Sequence, residues 1–239
     1  MAESVNAALV TGAARRLGRE IAMTLARKGY DIALHYRASA DDATALAQDI
    51  RRLGRRCVPI EADLADLKQV QALMPAALQA LPHCNLLVNN ASLFERCEFL
   101  ETTEELFERQ MNVNFRAPFF LARDFAKRCG KGHIINLLDT KVAKQSAAYF
   151  IYTLSKKALA EFTLMAAKTL APNIRVNGIC PGPMLPPPGQ SEEYLQNLAK
   201  TVPLGHVGDP SMIASAVAFL IDNEFITGQW LYVDGGQHL

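Results

Sequence analysis

The chain has 239 residues, 50% hydrophobic and 21% charged, with 25 Lys plus Arg against 24 Asp plus Glu. This composition is that of a soluble globular protein able to bury a sizeable core. The near-neutral charge removes any global electrostatic case for a nucleic acid or an anionic membrane as partner and leaves small molecules as the expected ligands.

Five scattered cysteines, Cys57, Cys84, Cys97, Cys129 and Cys180, form no C-x-x-C pair or Cys/His cluster. This argues against a disulfide framework or a zinc site and fits a reducing cytoplasm. The start, MAESVNAALVTG, lacks the basic opening and long apolar core of a signal peptide, and no stretch approaches transmembrane length. A cytoplasmic protein is expected.

In chain order, short apolar runs alternate with longer amphipathic segments. Strands are predicted over Ala7–Thr11, Asp31–Tyr36, Cys57–Glu61, Leu86–Asn89, His133–Leu138, Arg175–Ile179 and Trp230–Val233. Between them, helices are predicted over Leu17–Lys28, Asp41–Leu53, Leu67–Leu81, Thr103–Asn114 continuing past Pro118 to Arg128, Tyr149–Leu170 and Pro210–Ile221. Strict alternation predicts an α/β fold, a doubly wound parallel sheet with helices on both faces. No repeat, charge run or linker divides the chain, so a single domain over 1–239 is expected. An irregular stretch from Pro181 to Gly189, with Pro186, Pro187 and Pro188 in succession, precedes a predicted short helix from Ser191 to Thr201. It follows a strand end, where open α/β sheets bind ligands, and a substrate loop over 181–202 is expected there.

ALVTGAARRLG runs from the first strand into the first helix, with Gly12 at the turn and Gly18 in the helix start. Glycine at such a turn lets backbone amides approach a phosphate, and the helix N-terminus adds partial positive charge. The second strand ends LHYRAS without the acid that would bind an NAD ribose. His35, Arg37 and Ser39, with Arg16 nearby, would attract a 2′-phosphate, so NADPH is favoured over NADH. An exposed arginine cluster that merely solvates the surface is the alternative.

Tyr152 and Lys156 are four residues apart on a predicted helix and share a face. A nearby ammonium favours the phenolate and is expected to lower the Tyr152 pKa, making it a usable general acid; taken alone, the pair is also open to the reading of a half-buried helix tyrosine beside a solvated lysine. Asp139 ends the strand-like run HIINLLD.

Thr11-Gly12 with Gly18, Asp63 after the third strand, Asn89-Asn90-Ala91-Ser92 after the fourth, Asn114, Tyr152-x-x-x-Lys156, Pro181-Gly182 and Asp234-Gly235-Gly236 occur in this order. Together they cover nearly the whole chain, which resembles a short-chain dehydrogenase/reductase of the Rossmann fold. The resemblance implies that Asp63 hydrogen-bonds adenine, that Asn89 fixes the central strand and cofactor, and that Asn114 holds a water relay to Lys156. It implies further that Lys156 grips the nicotinamide ribose and Tyr152 donates the proton. Leu17, Tyr36, Leu64, Asn90, Ala91, Pro181 and Gly182 would also lie along the cofactor, and assembly as a homotetramer is implied. The C-terminal Gln-His-Leu, with His238, leaves two readings open: contact with a neighbouring subunit's site, or a frayed end.

Two departures from the general pattern are informative. Arg16 stands where the family usually has glycine, and Asp139 stands where it usually has a serine hydroxyl. An ionised aspartate would repel the negative charge developing on a ketone oxygen, which argues against simple ketone reduction. Both departures, with His35, Ser92, Phe94 and Tyr149, resemble the pteridine reductases. That resemblance implies an NADPH-dependent reduction of a C=N bond in a pterin, dihydropterin or dihydrofolate. Asp139, Tyr152, Lys156 and Asn114 would be catalytic. Arg16, Ser92, Phe94, Asp139, Tyr149 and Tyr152 would meet the substrate, with the pterin stacked between nicotinamide and Phe94. A 3-oxoacyl-thioester or other carbonyl reductase of the same family is the alternative, and a non-enzymatic NADP sensor a further one.

Overall fold

The computed structural model describes residues 6–186 and 192–239. In chain order the elements are β1 (Ala7–Val10), α1 (Arg16–Arg27), β2 (Asp31–Tyr36), α2 (Ala40–Arg52), β3 (Cys57–Glu61), α3 (Leu67–Ala80) and β4 (Cys84–Asn89). There follow α4 (Glu104–Met111), α5 (Ala117–Cys129), β5 (Gly132–Leu137), α6 (Phe150–Leu170), β6 (Ile174–Pro181), α7 (Glu192–Ala199), α8 (Pro210–Asp222) and β7 (Trp230–Val233). All seven strands pair in parallel in the order β3-β2-β1-β4-β5-β6-β7. The doubly wound α/β sheet is therefore as expected.

The strands read as continuous apolar runs because helices cover both faces. On one face Val10, Ile32, Leu34, Val88 and Ile135 pack against Ile21 and Leu25 of α1, Leu46 of α2, and Ile213 and Val217 of α8. On the other, Leu9, Ala33, Leu87 and Ile134 meet Leu73 and Met74 of α3, Leu121 and Phe125 of α5, and Ala166 of α6. Among the described residues, no helix is long and apolar enough to cross a membrane.

The expected helix through Asn114 and past Pro118 is interrupted. Asn112–Arg116 form a π-helical turn between α4 and α5, with Pro118 in the first turn of α5. Proline has no N–H for the i→i−4 ladder and crowds the preceding turn, and a π turn accommodates this locally. The short helix predicted from Ser191 begins at Glu192 in the described residues, and Pro187, Pro188, Gly189 and Ser191 of the predicted loop lie outside them.

The chain runs outward from β1 to β3, then crosses back so that β4 lies beside β1. This reversal opens a crevice at the carboxyl ends of β1 and β4, the place where open α/β sheets bind ligands.

Candidate active site

Gly12 follows β1 with φ +61°, a left-handed conformation that glycine adopts without strain. Across the crevice, the Thr11 hydroxyl accepts the N–H groups of Asn90 (2.9 Å) and Ala91 (3.0 Å). The Asn90 side-chain amide donates to the carbonyls of Thr11 (2.8 Å) and Gly12 (3.1 Å). The turn after β1 is thus locked to the end of β4.

Above this junction lies a cleft of about 390 Å³. Gly12, Arg16, Leu17, Gly18, His35, Tyr36, Arg37, Ser39, Asp63, Leu64, Asn90, Ala91 and Ser92 line it, joined by Ala14, Ala62, Leu93 and Val113, which the motifs did not single out. One Asp63 carboxylate oxygen accepts the Ala65 N–H at 2.9 Å. Ser39 precedes α2 without using its hydroxyl as a cap. Arg15 is paired with Asp42, and Arg37 adds a cation at the end of β2.

His35 does not fill its expected role as a charge for a 2′-phosphate. Its ring is buried, Nδ1 accepts the Gly12 N–H at 3.0 Å, and Nε2 donates to the Ala62 carbonyl at 3.0 Å. Burial pushes its pKa down to about 4, against the opposing pull of the Ala62 carbonyl and Asp63. The ring is a neutral brace under the glycine turn.

His133 of β5 is likewise buried and accepts from the Asn177 amide at 3.0 Å, with burial and then Arg175 pushing it down to about 3. In an unfolded chain each imidazole takes up its proton at about pH 6.5. The folded chain resists protonation until about pH 4 at His35 and about pH 3 at His133. Below about pH 6.5 the unfolded state therefore binds more protons, and stability falls with pH by up to roughly 1.4 kcal/mol per unit and per ring. Urea unfolding compared at neutral pH and near pH 5 should show a clear drop in midpoint. A midpoint that stays flat would mean that both rings are solvated.

Arg16 opens α1 with φ +54°, the one non-glycine residue with positive φ among the described residues. That conformation costs an ordinary side chain roughly 1–2 kcal/mol, which accounts for the glycine usual at this position. Its guanidinium donates to the Pro186 carbonyl at 2.9 Å, tying the first turn to the loop after β6.

Tyr152 and Lys156 are both buried on one face of α6. The Tyr152 hydroxyl donates to Asp139 Oδ2 at 2.6 Å, and Asp139 Oδ1 accepts the Lys141 N–H at 2.7 Å. The phenol pKa is not lowered as expected. Burial, then the Asp139 charge and its hydrogen bond, raise it well above 10, with a Ser92 hydrogen bond working the other way. Lys156 does not offset this, because its ammonium lies 5.9 Å from the Tyr152 ring centroid and donates to the Leu137 carbonyl at 2.7 Å. Burial lowers Lys156 to about 8, with Asp139 and Cys180 opposing.

Asn114 is buried and fully hydrogen-bonded through its side chain. Its Oδ1 accepts from the Ser92 hydroxyl (3.1 Å) and the Leu93 N–H (2.8 Å), and its Nδ2 donates to the Leu93 carbonyl (2.9 Å) and the Ser155 hydroxyl (3.1 Å). These four bonds let its side chain position Ser92, the backbone at Leu93 and α6 through Ser155.

Phe94 stacks on Tyr149 at 4.4 Å with an interplanar angle of 10°, and meets Tyr152 edge-on at 4.7 Å. A substrate stacking on Phe94 must therefore use its other face or displace Tyr149. The Lys141 ammonium lies 5.3 Å from the Phe94 ring and 3.9 Å from Asp139. The motifs gave no hint of Lys141.

The profile of the family described as enoyl-(acyl carrier protein) reductase matches residues 12–238. The hydroxynaphthalene reductase-like protein Arp2 of Metarhizium anisopliae is 34% identical over 96% of this chain and 93% of its own. The 3-oxoacyl-[acyl-carrier-protein] reductase FabG of Staphylococcus aureus is 30% identical over 97% of this chain and 98% of its own. The chain belongs to the short-chain dehydrogenase/reductase family. Among solved structures, FolM alternative dihydrofolate reductase 1 from Brucella canis, complexed with NADP, superposes with a TM-score of 0.91 at 36% identity, covering 97% of this chain and 93% of that one. A blue fluorescent protein from a metagenomic library, in complex with NADPH, gives a TM-score of 0.91 at 36% identity and 97% coverage of both chains.

In this short-chain dehydrogenase/reductase, Pro181 and Gly182 close β6 against β7 and do not line the cleft. Gly182 donates to the Val233 carbonyl at 2.9 Å, and a Cβ there would come within 2.5 Å of the Asp234 backbone. Its glycine is explained by that close approach. The C-terminal tail is not frayed: the His238 ring stacks on Tyr232 at 4.0 Å and bonds Asp234.

Proposed function

We propose that this chain is an NADPH-dependent pteridine reductase, reducing a C=N bond of a pterin or dihydropterin, with dihydrofolate among its candidate substrates. The observation that carries this reading is the 2.6 Å hydrogen bond from Tyr152 to Asp139, where a ketone reductase of this family has a serine hydroxyl. The relatedness to the Brucella FolM proteins supports it independently.

The cleft fits a dinucleotide: its volume is in the usual range for ligand sites, Gly12 exposes backbone at its floor, and the N-terminus of α1 faces it. Gly12, Arg16, Leu17, Gly18, Asp63, Asn90 and Ala91 would hold NADPH, with Arg37 and Ser39 near its 2′-phosphate. When bound, the cofactor supplies the hydride.

Tyr152 keeps its proton at neutral pH, since its pKa is raised. It gives that proton only to a strongly basic atom, and a ring nitrogen becomes one as hydride reaches the neighbouring carbon. Asp139 would accept N–H donors of the amino-heterocycle while orienting the phenol. Lys156 contributes a buried cation behind the pair, and Phe94 and Tyr149 an aromatic platform.

A second reading, reduction of a 3-oxoacyl thioester or other carbonyl, is favoured by the similarity to FabG. NADPH oxidation followed at 340 nm across dihydropterins, dihydrofolate, 3-oxoacyl thioesters and simple ketones separates the two. Pterin-dependent oxidation well above background is expected, and its absence across the pterin arm sinks the proposal. Asp139→Ser should lower pterin turnover by about 10- to 100-fold, the worth of a charge-assisted hydrogen bond.

A further inference from the structure

Asp234, directly after β7, is buried, and its hydrogen bonds go to Thr140, Gly236 and His238, none of which lines the cleft. Its Oδ2 accepts the Thr140 hydroxyl (2.7 Å), the His238 backbone N–H (2.8 Å) and the His238 ring Nδ1 (2.9 Å), while Oδ1 accepts the Gly236 N–H (3.0 Å). Burial acts to raise its pKa, but the Thr140 and His238 hydrogen bonds outweigh this and hold the carboxyl below the usual range.

Thr140 is the residue next to Asp139. It begins the helical turn Thr140–Ala143, of which Asp139 is the N-cap. At the far end of that turn, the Lys144 ammonium donates to the Gln237 carbonyl. The tail therefore grips the Asp139-bearing turn at both ends. The tail is itself fixed by the stacking of His238 on Tyr232 and by the Leu204 N–H donating to the Gly235 carbonyl at 3.1 Å.

We propose that Asp234 and His238, through Thr140, are positioning residues for the Asp139 carboxylate, so that the C-terminal tail is part of the proton-transfer apparatus. The inference rests on the reading of Asp139 and Tyr152 as the proton-handling pair. Asp139 has one oxygen spent on the Lys141 N–H and the other on Tyr152, so any rotation of the turn displaces the carboxylate that sets the phenol's direction. A misplacement of about 1 Å in such a constellation can cost on the order of 100-fold in rate.

Thr140→Val keeps the side-chain shape and removes the hydroxyl, Thr140→Ser restores it, and His238→Ala trims the tail at a partly exposed position. Steady-state kinetics with NADPH and a dihydropterin should show kcat falling by about tenfold or more in Thr140→Val and several-fold in His238→Ala. The KM for NADPH should change less than about twofold, and Thr140→Ser should stay close to the unmodified protein. A loss confined to KM, or a Thr140→Ser as slow as Thr140→Val, would assign Thr140 and the tail a purely structural role and overturn the proposal. Asp139→Asn measured alongside separates the two levels. If Asp139→Asn is crippled while Thr140→Val and His238→Ala are unimpaired, only the tail's role falls. If Asp139→Asn itself keeps full turnover, the proton-pair reading falls and takes the tail's role with it.

Discussion

Replacing Tyr152 by Phe is expected to lower turnover by about 10²- to 10⁴-fold, the range for loss of a positioned general acid, while NADPH affinity stays near its original value. The substitution removes one oxygen. It leaves the ring, its edge-on contact with Phe94 and the packing of α6 in place. What is lost is the proton shared with Asp139, and the carboxylate is left without the O–H that it accepts at 2.6 Å. Turnover measured by NADPH oxidation, with binding followed by the quenching of protein fluorescence, distinguishes the outcomes. A variant that keeps its turnover would exclude Tyr152 as the acid. A sensor protein, by contrast, would be indifferent to the change.

Gly18→Ala should destabilise the fold and weaken NADPH binding together. A Cβ at Gly18 would lie 2.2 Å from the Gly12 carbonyl oxygen, 2.6 Å from the Asn90 amide nitrogen and 2.9 Å from Ala13 Cα. None of these can yield cheaply, because Gly12 and Asn90 are bonded to one another and to Thr11. Accommodating even a methyl group requires α1 to move off the turn, at a cost of about 1–3 kcal/mol or more. That motion would also displace the backbone expected to meet the cofactor's phosphates. Urea denaturation and NADPH titration together test this, and a Gly18→Ala protein that binds NADPH with unchanged affinity contradicts it.

The parts legible in the sequence were those encoded locally. Each predicted strand core lies within an observed strand, because apolar runs bounded by turns have few other fates in a two-sided parallel sheet. The glycine turn, Tyr152 and Lys156 were legible through spacing, and Asp139 through its place at a strand end. Electrostatics was read less well, because charge states depend on tertiary partners. His35 was expected to help attract a 2′-phosphate, but its two ring nitrogens are claimed by Gly12 and Ala62 in the interior. Lys156 looked like the group controlling Tyr152, but the Leu137 carbonyl holds it beneath the ring and Asp139 controls the phenol instead. Asn114 could not be assigned to Ser92 and Ser155 without knowing that a π turn aims it there.

The lock at the base of the cleft joins Thr11 to Asn90, residues 79 positions apart. No fragment carrying only one of them can present the cleft, so the site exists only once the central strands have found each other. A dinucleotide seated there would bridge the two halves of the chain and recognise the folded protein alone. It would then contribute to stability by mass action, about 2.7 kcal/mol at a hundred times its dissociation constant. The melting temperature of this protein would thereby report how much cofactor surrounds it.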